Sequence, residues 1–256
     1  MIASPIQPNL YSVALLIFGM LALFGATVAT QRHNNPGAGW LVGLMAAMGI
    51  WSLGYCFEIL LDSLGQQVLM AKIEYFGITT VPLFWFLFAM EYTGRGPVVR
   101  ARKLYLLGLV PVFTLIMVWT NELHGLIWSA TTQIVHEGLN FLTVEHGGVY
   151  WVHAAYSYIL ILAGSILVLI QAIKTRKAQR NQAIAILVAL AVAWLGNIIY
   201  HTPLNPFPYL DITSFTMTLT GLILIFSLLR VGPLDLFPVV SETVLEGMND
   251  GVLVLD

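Results

Sequence analysis

This sequence contains few charged residues. Only 9% of the residues are charged, whereas 58% are hydrophobic. Soluble domains usually carry about 25% charged residues. A soluble chain with this composition could not cover its apolar surface, so the composition indicates a protein embedded in lipid.

Cysteine is also nearly absent, since Cys56 is the only one among 256 residues. One cysteine cannot form an intramolecular disulfide or build a cysteine metal site. His124, His136 and His146 share one segment, but their spacing fits no metal-ligand template. No basic run suggests nucleic acid as a partner. The sequence therefore predicts neither a metal nor any other cofactor.

Long apolar runs dominate what is present. Seven of them are close to the roughly 20 residues that a membrane-spanning helix needs, and they predict an all-α membrane protein, a seven-transmembrane helix bundle. The first run lacks the basic start of a cleavable signal peptide and is predicted to be retained. Pro82 lies inside the third span and predicts a kink. The predicted spans are Asn9–Thr30, Trp40–Leu61, Gln66–Thr93, Arg102–Thr120, Val149–Lys174, Asn181–Tyr200 and Asp211–Leu229.

Lysine and arginine are confined to one side of the predicted bundle, apart from Lys72 within span three. The N-terminus, the turn at Asp62, the segment Asn121–Gly148 and the turn His201–Leu210 contain none. Since basic residues collect in cytoplasmic loops, the N-terminus is predicted outside and the C-terminus in the cytoplasm. The basic residues on the predicted cytoplasmic side are Arg32, Arg95, Arg100, Arg102, Lys103, Lys174, Arg176, Lys177, Arg180 and Arg230.

The long outer segment between helices 4 and 5 alternates apolar and polar stretches. Gly125 and Gly138 are suited to turns, so the segment predicts a small β-hairpin over the outer mouth of the bundle. A disordered loop is the alternative, but the aromatic content argues against it.

The composition changes after Arg230. Pro233 and Pro238 end the seventh helix and form a linker. Residues 241–256 are interpreted as a short helix capped by Ser241, a turn and an incomplete strand, which resemble the start of a PAS domain. The predicted domains are therefore residues 1–230, a linker at 231–240 and a truncated PAS-like start at 241–256, in a fragment of a longer protein.

Three stretches of the sequence carry a resemblance to a known family. The first runs from Ile73–Gly77 through Pro82 and Trp85 to Glu91–Arg95. The second is Thr120–Trp128, and the third is Gly148–His153 together with Tyr156–Tyr158. In this order they resemble the N-terminal seven-helix sensory region of bacterial and archaeal sensor histidine kinases. The resemblance implies a non-catalytic signal-input domain in the cell membrane, followed by PAS or kinase modules. It also implies a homodimer and a response regulator as downstream partner, but it supplies no ligand.

Polar and aromatic residues recur at helical spacing near the outer ends of the predicted spans. Ionisable groups in lipid are costly and usually face the bundle interior or a cavity. The stripes are Trp51, Tyr55, Glu58 and Asp62; Tyr150, His153 and Ser157; Trp194, Asn197 and His201; and Asp211, Ser214 and Thr218. They predict an outward-facing small-molecule pocket roofed by Trp128. The candidate ligand-binding residues are Trp51, Tyr55, Glu58, Glu74, Trp128, Tyr150, His153, Trp194, Asn197 and His201, and no catalytic residue is predicted.

Other interpretations of these residues stay open. Tryptophan and tyrosine collect at membrane interfaces regardless of function, where they contact lipid. Asp62 and Asp211 lie at helix ends, where capping or solvation is the favoured interpretation. Lys72 is expected either to snorkel outward or to pair with Glu58 across the bundle.

Other functions of multi-pass membrane proteins fit the sequence less well. A retinal protein is excluded because the seventh span contains no lysine for a Schiff base. A small-solute transporter is the main alternative, but it predicts inverted repeats and a path to both sides, and no repeat is visible. A membrane enzyme is less favoured, because the sequence contains no metalloprotease, paired-aspartate or serine-hydrolase motif.

Overall fold

A computed structural model describes residues 9–31, 36–99, 102–136, 139–175, 177–200, 202 and 211–230. The helices are α1 (Leu10–Thr30), α2 (Ala38–Leu60), α3 (Leu64–Tyr92), α4 (Gly96–Val99), α5 (Leu109–Trp119), α6 (Gly148–Lys174), α7 (Lys177–Tyr200) and α8 (Thr213–Arg230). Short 3-10 helices at Arg102–Gly108 and Asn121–Leu123 flank α5. The two strands are β1 (Trp128–His136) and β2 (Leu139–His146).

Five helices of the described chain are long and apolar enough to cross a membrane, namely α1, α2, α3, α6 and the part of α7 from Arg180 to Tyr200. All five coincide with predicted spans to within a few residues, so the protein is a multi-pass membrane protein. The predicted fourth and seventh spans coincide with shorter apolar helices, Tyr105–Trp119 and Thr213–Ser227. That all seven cross the bilayer remains a prediction.

The fourth predicted span is not one continuous α-helix. It begins as the 3-10 helix Arg102–Gly108 and becomes α-helical at Leu109. Pro111 falls in the first turn of α5, where its missing N–H leaves no helical hydrogen bond unmade. By contrast, α3 is helical through Pro82, and the kink expected there stays a prediction.

The predicted β-hairpin between the fourth and fifth spans is confirmed. Strands β1 and β2 pair antiparallel, with Ile134 opposite Phe141 and His136 opposite Leu139. A register shift between Trp128 and Ala130 marks a bulge at the start of β1. Such bulges re-aim side chains at the edges of sheets. Residues 137 and 138, which connect the strands, lie outside the described residues.

Five helices form a closed ring. Around the ring α2 contacts α3, α3 contacts α6, α6 contacts α7, α7 contacts α8, and α8 contacts α2. Outside this ring, α1 lies against α2 and α8, and α5 lies against α3 and α6. The ring can therefore enclose an interior, and the hairpin meets it at the end where α2 finishes, through contacts between β2 and α2.

Helices α2 and α3 approach each other closely at two glycines. A methyl group at Gly77 would collide with the carbonyl oxygen of Ala47, and one at Gly54 would collide with the side chain of Glu74. Small residues at membrane helix interfaces allow such approach. The approach at Gly54 places Glu74 against α2, next to the turn that carries Glu58.

Hydrogen bonds between side chains and neighbouring helices fasten α8. Oγ of Ser52 and Oγ1 of Thr218 lie 2.8 Å apart. Thr218 donates its own proton to the carbonyl of Ser214 at 3.0 Å, so Ser52 donates to Thr218. On the other side, Thr220 donates to the carbonyl of Ala189 in α7 at 2.7 Å.

The Ser52–Thr218 bond yields a test of the packing between α2 and α8. In a double-mutant cycle of Ser52→Ala and Thr218→Val, we expect a coupling free energy of about 0.6 kcal/mol, typical of hydrogen bonds between membrane helices. Unfolding of the purified protein in detergent measures it. The control pairs Ser52→Ala with Thr80→Val, because the Thr80 hydroxyl bonds to carbonyls of its own helix. Equal coupling in both cycles would contradict the predicted bond.

Candidate functional site

A cavity of about 240 Å³ lies inside the helix ring. Its wall is formed by α2, α3, α6, α7, α8 and both hairpin strands. Nine of the ten candidate ligand-binding residues lie on this wall: Trp51, Tyr55, Glu58, Glu74, Trp128, Tyr150, His153, Trp194 and Asn197. The tenth, His201, lies outside the described residues. That these residues bind a ligand remains a prediction.

The two ends of the cavity differ in polarity. Near the hairpin its wall includes Glu58, Asp211 and His146, whereas Leu44 and Leu224 lie on the wall far from the hairpin. Leu44 precedes Glu58 by 14 residues on α2, which corresponds to about 21 Å along the helix. The cavity is therefore elongated, with one polar and one apolar end.

Two buried carboxyl groups meet at the polar end. Glu58 and Glu74 are 6% and 5% exposed, and both lie on the cavity wall. The Glu74 side chain packs against Gly54, one helical turn before Glu58. Oε1 of Glu74 has no hydrogen-bond partner within the described part of the chain.

Lys72 does not neutralise this pair, although it lies only two residues before Glu74. Its Nζ is 2.5 Å from Oε1 of Glu122 and 3.4 Å from the carbonyl oxygen of Trp119. The pairing with Glu58 considered in the sequence analysis is therefore wrong. An ammonium group at the end of a long side chain reaches the polar boundary at lower cost than it stays in the bundle interior.

One buried amide fixes the entry into the hairpin. Oδ1 of Asn121 accepts hydrogen bonds from the N–H groups of Ile127 and Trp128, at 3.0 and 3.1 Å. Its Nδ2 donates to the carbonyl of Trp128 at 3.0 Å. The Trp128 backbone is thereby held in place, and its ring packs edge-on against Tyr75 with centroids 5.4 Å apart.

A second amide network attaches the hairpin to the turn between α2 and α3. Nε2 of Gln67 donates to the carbonyls of Glu58 and Asn140, at 3.2 and 2.9 Å. Nε2 of Gln133 donates to Oε1 of Gln67 at 2.9 Å, and Nδ2 of Asn140 donates to Oδ1 of Asp62 at 3.0 Å. No sequence pattern predicts this network, because its amides are far apart in sequence and form no local pattern.

Several residues of the cavity wall are not among the ten ligand-binding residues predicted from the sequence. Tyr75 and Trp85 lie on the wall together with Ile78 and Pro82. Their spacing of three and four residues is the helical signal that could have identified this face of α3. The wall also includes other polar or aromatic residues that are not among the ten candidates. They include Ser157, Tyr158, Tyr200, His146 and Asp211.

The predicted stripe on the seventh span is only partly right. Asp211 lies on the cavity wall, but Ser214 and Thr218 do not, and Thr218 instead bonds to Ser52. The residues that α8 contributes to the wall are Thr213, Met217, Thr220 and Leu224. Asp211 also accepts a hydrogen bond from the N–H of Thr213 at 2.8 Å, in agreement with the capping role considered for it.

Hydrogen bonds hold several polar groups of the wall in place. The Tyr158 hydroxyl donates to Oδ1 of Asn197 at 2.6 Å, and the Tyr158 ring stacks on Trp194 with centroids 5.6 Å apart. The Tyr55 hydroxyl accepts the N–H of Asp211 at 2.7 Å. These bonds tie α6 to α7 and α2 to the start of α8, so the shape of the wall is largely preformed.

Three polar atoms of wall residues lack a partner among the described residues. They are Oε1 of Glu74, Nδ1 of His153 and Oγ1 of Thr213. A buried polar group left unsatisfied costs about 1–3 kcal/mol. The three atoms belong to three different helices, so polar groups of a molecule inside the cavity could satisfy them together.

A family model described as "N-terminal 7TM region of histidine kinase" matches residues 12–238. The match includes the five ring helices, α5, the hairpin and α1 from residue 12, and it confirms the resemblance stated from the sequence. No curated protein matches the chain. The PAS-like segment 241–256 lies outside the described residues, and its interpretation remains a prediction.

The Lys72–Glu122 pair predicts a pH dependence of stability. The hydrogen bond from Lys72 lowers the pKa of Glu122 below its ordinary value of 4.5. Because the folded-state pKa is lowered, the pair stabilises the fold above that value, and this contribution disappears as the pH falls through the folded-state pKa. At neutral pH we expect Glu122→Gln to cost about 0.2–1 kcal/mol, since Glu122 is largely exposed.

Thermal unfolding of wild type and Glu122→Gln between about pH 7 and pH 3 tests this pair. The difference in Tm between the two proteins should shrink toward acid pH. In the Lys72→Met background the Glu122→Gln substitution should give a difference in Tm that changes less with pH, because the backbone hydrogen bond and His124 still lower the pKa of Glu122. A pH-independent difference in the wild-type background would contradict the prediction.

Proposed function

The chain belongs to the family of N-terminal seven-transmembrane regions of histidine kinases, and we propose that it detects a small molecule in its central cavity and transmits the signal through α8. The region itself is non-catalytic, and the kinase family implies signalling to a response regulator. We propose further that the region acts as a homodimer in the cell membrane, ahead of cytoplasmic PAS or kinase modules.

The cavity is the observation that carries this proposal. Five helices and the hairpin contribute to one wall, and three wall residues present buried polar atoms without partners in the described chain. Small-molecule sites are concave, mostly apolar and lined by a few placed polar groups. Buried polar atoms are usually hydrogen-bonded, so unpartnered atoms on the wall of a cavity favour a ligand that carries polar groups.

The proposed orientation places the hairpin outside and the basic residues in the cytoplasm. At the end opposite the hairpin, Tyr92 at the end of α3 donates to Gln182 near the start of α7 at 3.2 Å. Arg95 and Arg180 lie next to this contact in the sequence. The positive-inside rule therefore supports seven crossings with this end in the cytoplasm.

Helix α8 is the proposed output. It contributes Thr213, Met217, Thr220 and Leu224 to the cavity wall, and it leads directly to the segment after residue 230. A ligand shifts the equilibrium between two bundle states only by its differential affinity for them. A ligand that contacts α8 more favourably in one state would therefore shift its position relative to α2 and α7.

Two neighbouring alanines on α6 allow the cavity to be tested as the input site. Ala154 lies on the cavity wall, whereas Ala155 faces outward and is exposed. We expect Ala154→Trp to fill the cavity and to change the autophosphorylation rate of the full-length kinase about 5- to 150-fold, the range of typical allosteric coupling. Ala155→Trp adds the same side chain outside the cavity and should change the rate less than twofold, on the order of the scatter between surface variants.

The measurement uses membrane vesicles that contain equal amounts of each variant. Equal autophosphorylation rates for both tryptophan variants and wild type would contradict the cavity as the input site. Accumulation of a solute inside vesicles carrying the wild-type chain, abolished by Ala154→Trp, would instead support the transporter alternative.

A further inference from the structure

The described wall carries two buried glutamates, Glu58 and Glu74, and neither lysine nor arginine. Its other ionisable residues include Asp211, His146 and His153. Lys72 is bound to Glu122 and is not on the wall. A cation beside Glu58 and Glu74 would favour the ionised form of either carboxyl group, because electrostatic attraction is weakly screened inside a bundle.

Glu74 is the wall residue best placed to meet such a charge. Its side chain is 5% exposed, and its Oε1 has no hydrogen-bond partner in the described residues. A buried carboxyl group either keeps its proton or is paired with a cation. A cation in the cavity would supply the partner that the described protein groups do not.

The aromatic residues of the wall are of the types that bind cations best. The sequence contains 13 phenylalanines, but none is among the wall residues that the structure describes. The rings are four tryptophans and five tyrosines, namely Trp51, Trp85, Trp128, Trp194, Tyr55, Tyr75, Tyr150, Tyr158 and Tyr200. Their electron-rich faces attract ammonium groups, and such aromatic cages recognise quaternary ammonium ligands.

The size and shape of the cavity limit the rest of the ligand. Its volume of about 240 Å³ is below the roughly 300–1,000 Å³ of sites for drug-sized molecules. The wall far from the hairpin is apolar and includes Leu44, Leu190 and Leu224. The ligand that fits is narrow, with its charge at one end.

From these observations we infer that the cavity binds a small organic cation, an amine or quaternary ammonium group joined to an apolar body. The cationic group lies beside Glu58 and Glu74, and the body extends toward Leu44 and Leu224. This inference rests on the proposed function, in which the cavity is the sensory site. A phospholipid head group would place a phosphate next to the carboxyl pair, so the ligand is a free cation.

Four probes with six-carbon chains test the ligand class. They are hexyltrimethylammonium, neutral hexan-1-ol, anionic hexanoate and dihexanoylphosphatidylcholine. Each is titrated into the purified full chain in an uncharged maltoside detergent, with binding followed by tryptophan fluorescence. We expect the free cation to bind saturably, with a Kd at least tenfold lower than that of the alcohol. Hexanoate and the phospholipid should show no saturable binding.

Three substitutions of Glu by Gln locate the charge that is recognised. Glu74→Gln and Glu58→Gln should each weaken cation binding at least tenfold and leave hexan-1-ol binding unchanged. Glu145→Gln is the matched control, because Glu145 is exposed on β2 and is not on the cavity wall. Thermal unfolding shows whether each variant is folded, and having two carboxyl variants keeps the test valid if one fails to fold.

The inference is overturned if the alcohol, hexanoate or the phospholipid binds as tightly as the cation, or if the cation does not bind saturably. It is also overturned if a folded Glu74→Gln or Glu58→Gln variant binds the cation like wild type. The Ala154→Trp experiment separates this inference from the proposed function. An altered kinase rate without preference for the cation would refute the ligand class alone. A preference for the cation with an unaltered kinase rate would refute the sensory role alone.

Discussion

The lack of water inside a bilayer is the constraint on which this structure depends. A polar side chain there must find a partner within the protein or face a cavity. Ser52 meets this requirement through Thr218, and Asn121 meets it through the backbone of Ile127 and Trp128. These bonds join segments that are distant in sequence. The need to hydrogen-bond each buried polar group therefore also determines which helices pack together.

The hairpin shows how this constraint shapes the site. Gln67 lies fully buried at the start of α3 and bonds both to the end of α2 and to β2. Asn121 fixes the backbone of Trp128 at the start of β1. Both attachments use amides, which donate and accept at once without adding charge. The hairpin is therefore a fixed part of the cavity wall. The Trp128 side chain is held in position because Asn121 fixes the Trp128 backbone.

Several buried polar atoms without partners in the described chain line the cavity. They belong to Glu74, His153 and Thr213, whereas Asn9 and Ser214 have such atoms away from the wall. Lys72, a residue of the same helix as Glu74, is bound instead to Glu122 near the hairpin. This separation leaves Glu58 and Glu74 without a lysine or arginine among the described wall residues. The arrangement costs stability, as functional sites commonly do.

The sequence by itself determined the apolar spans, the hairpin and nine of the wall residues, because length and helical periodicity are local properties of the chain. Trp51, Tyr55 and Glu58 must share a face of any helix that contains them. Periodicity does not say which neighbour that face meets. Only the tertiary structure shows that Lys72 pairs with Glu122 and that Thr218 bonds to Ser52. It also joined Gln67 to the hairpin, since these contacts depend on how separate helices are arranged around a common interior.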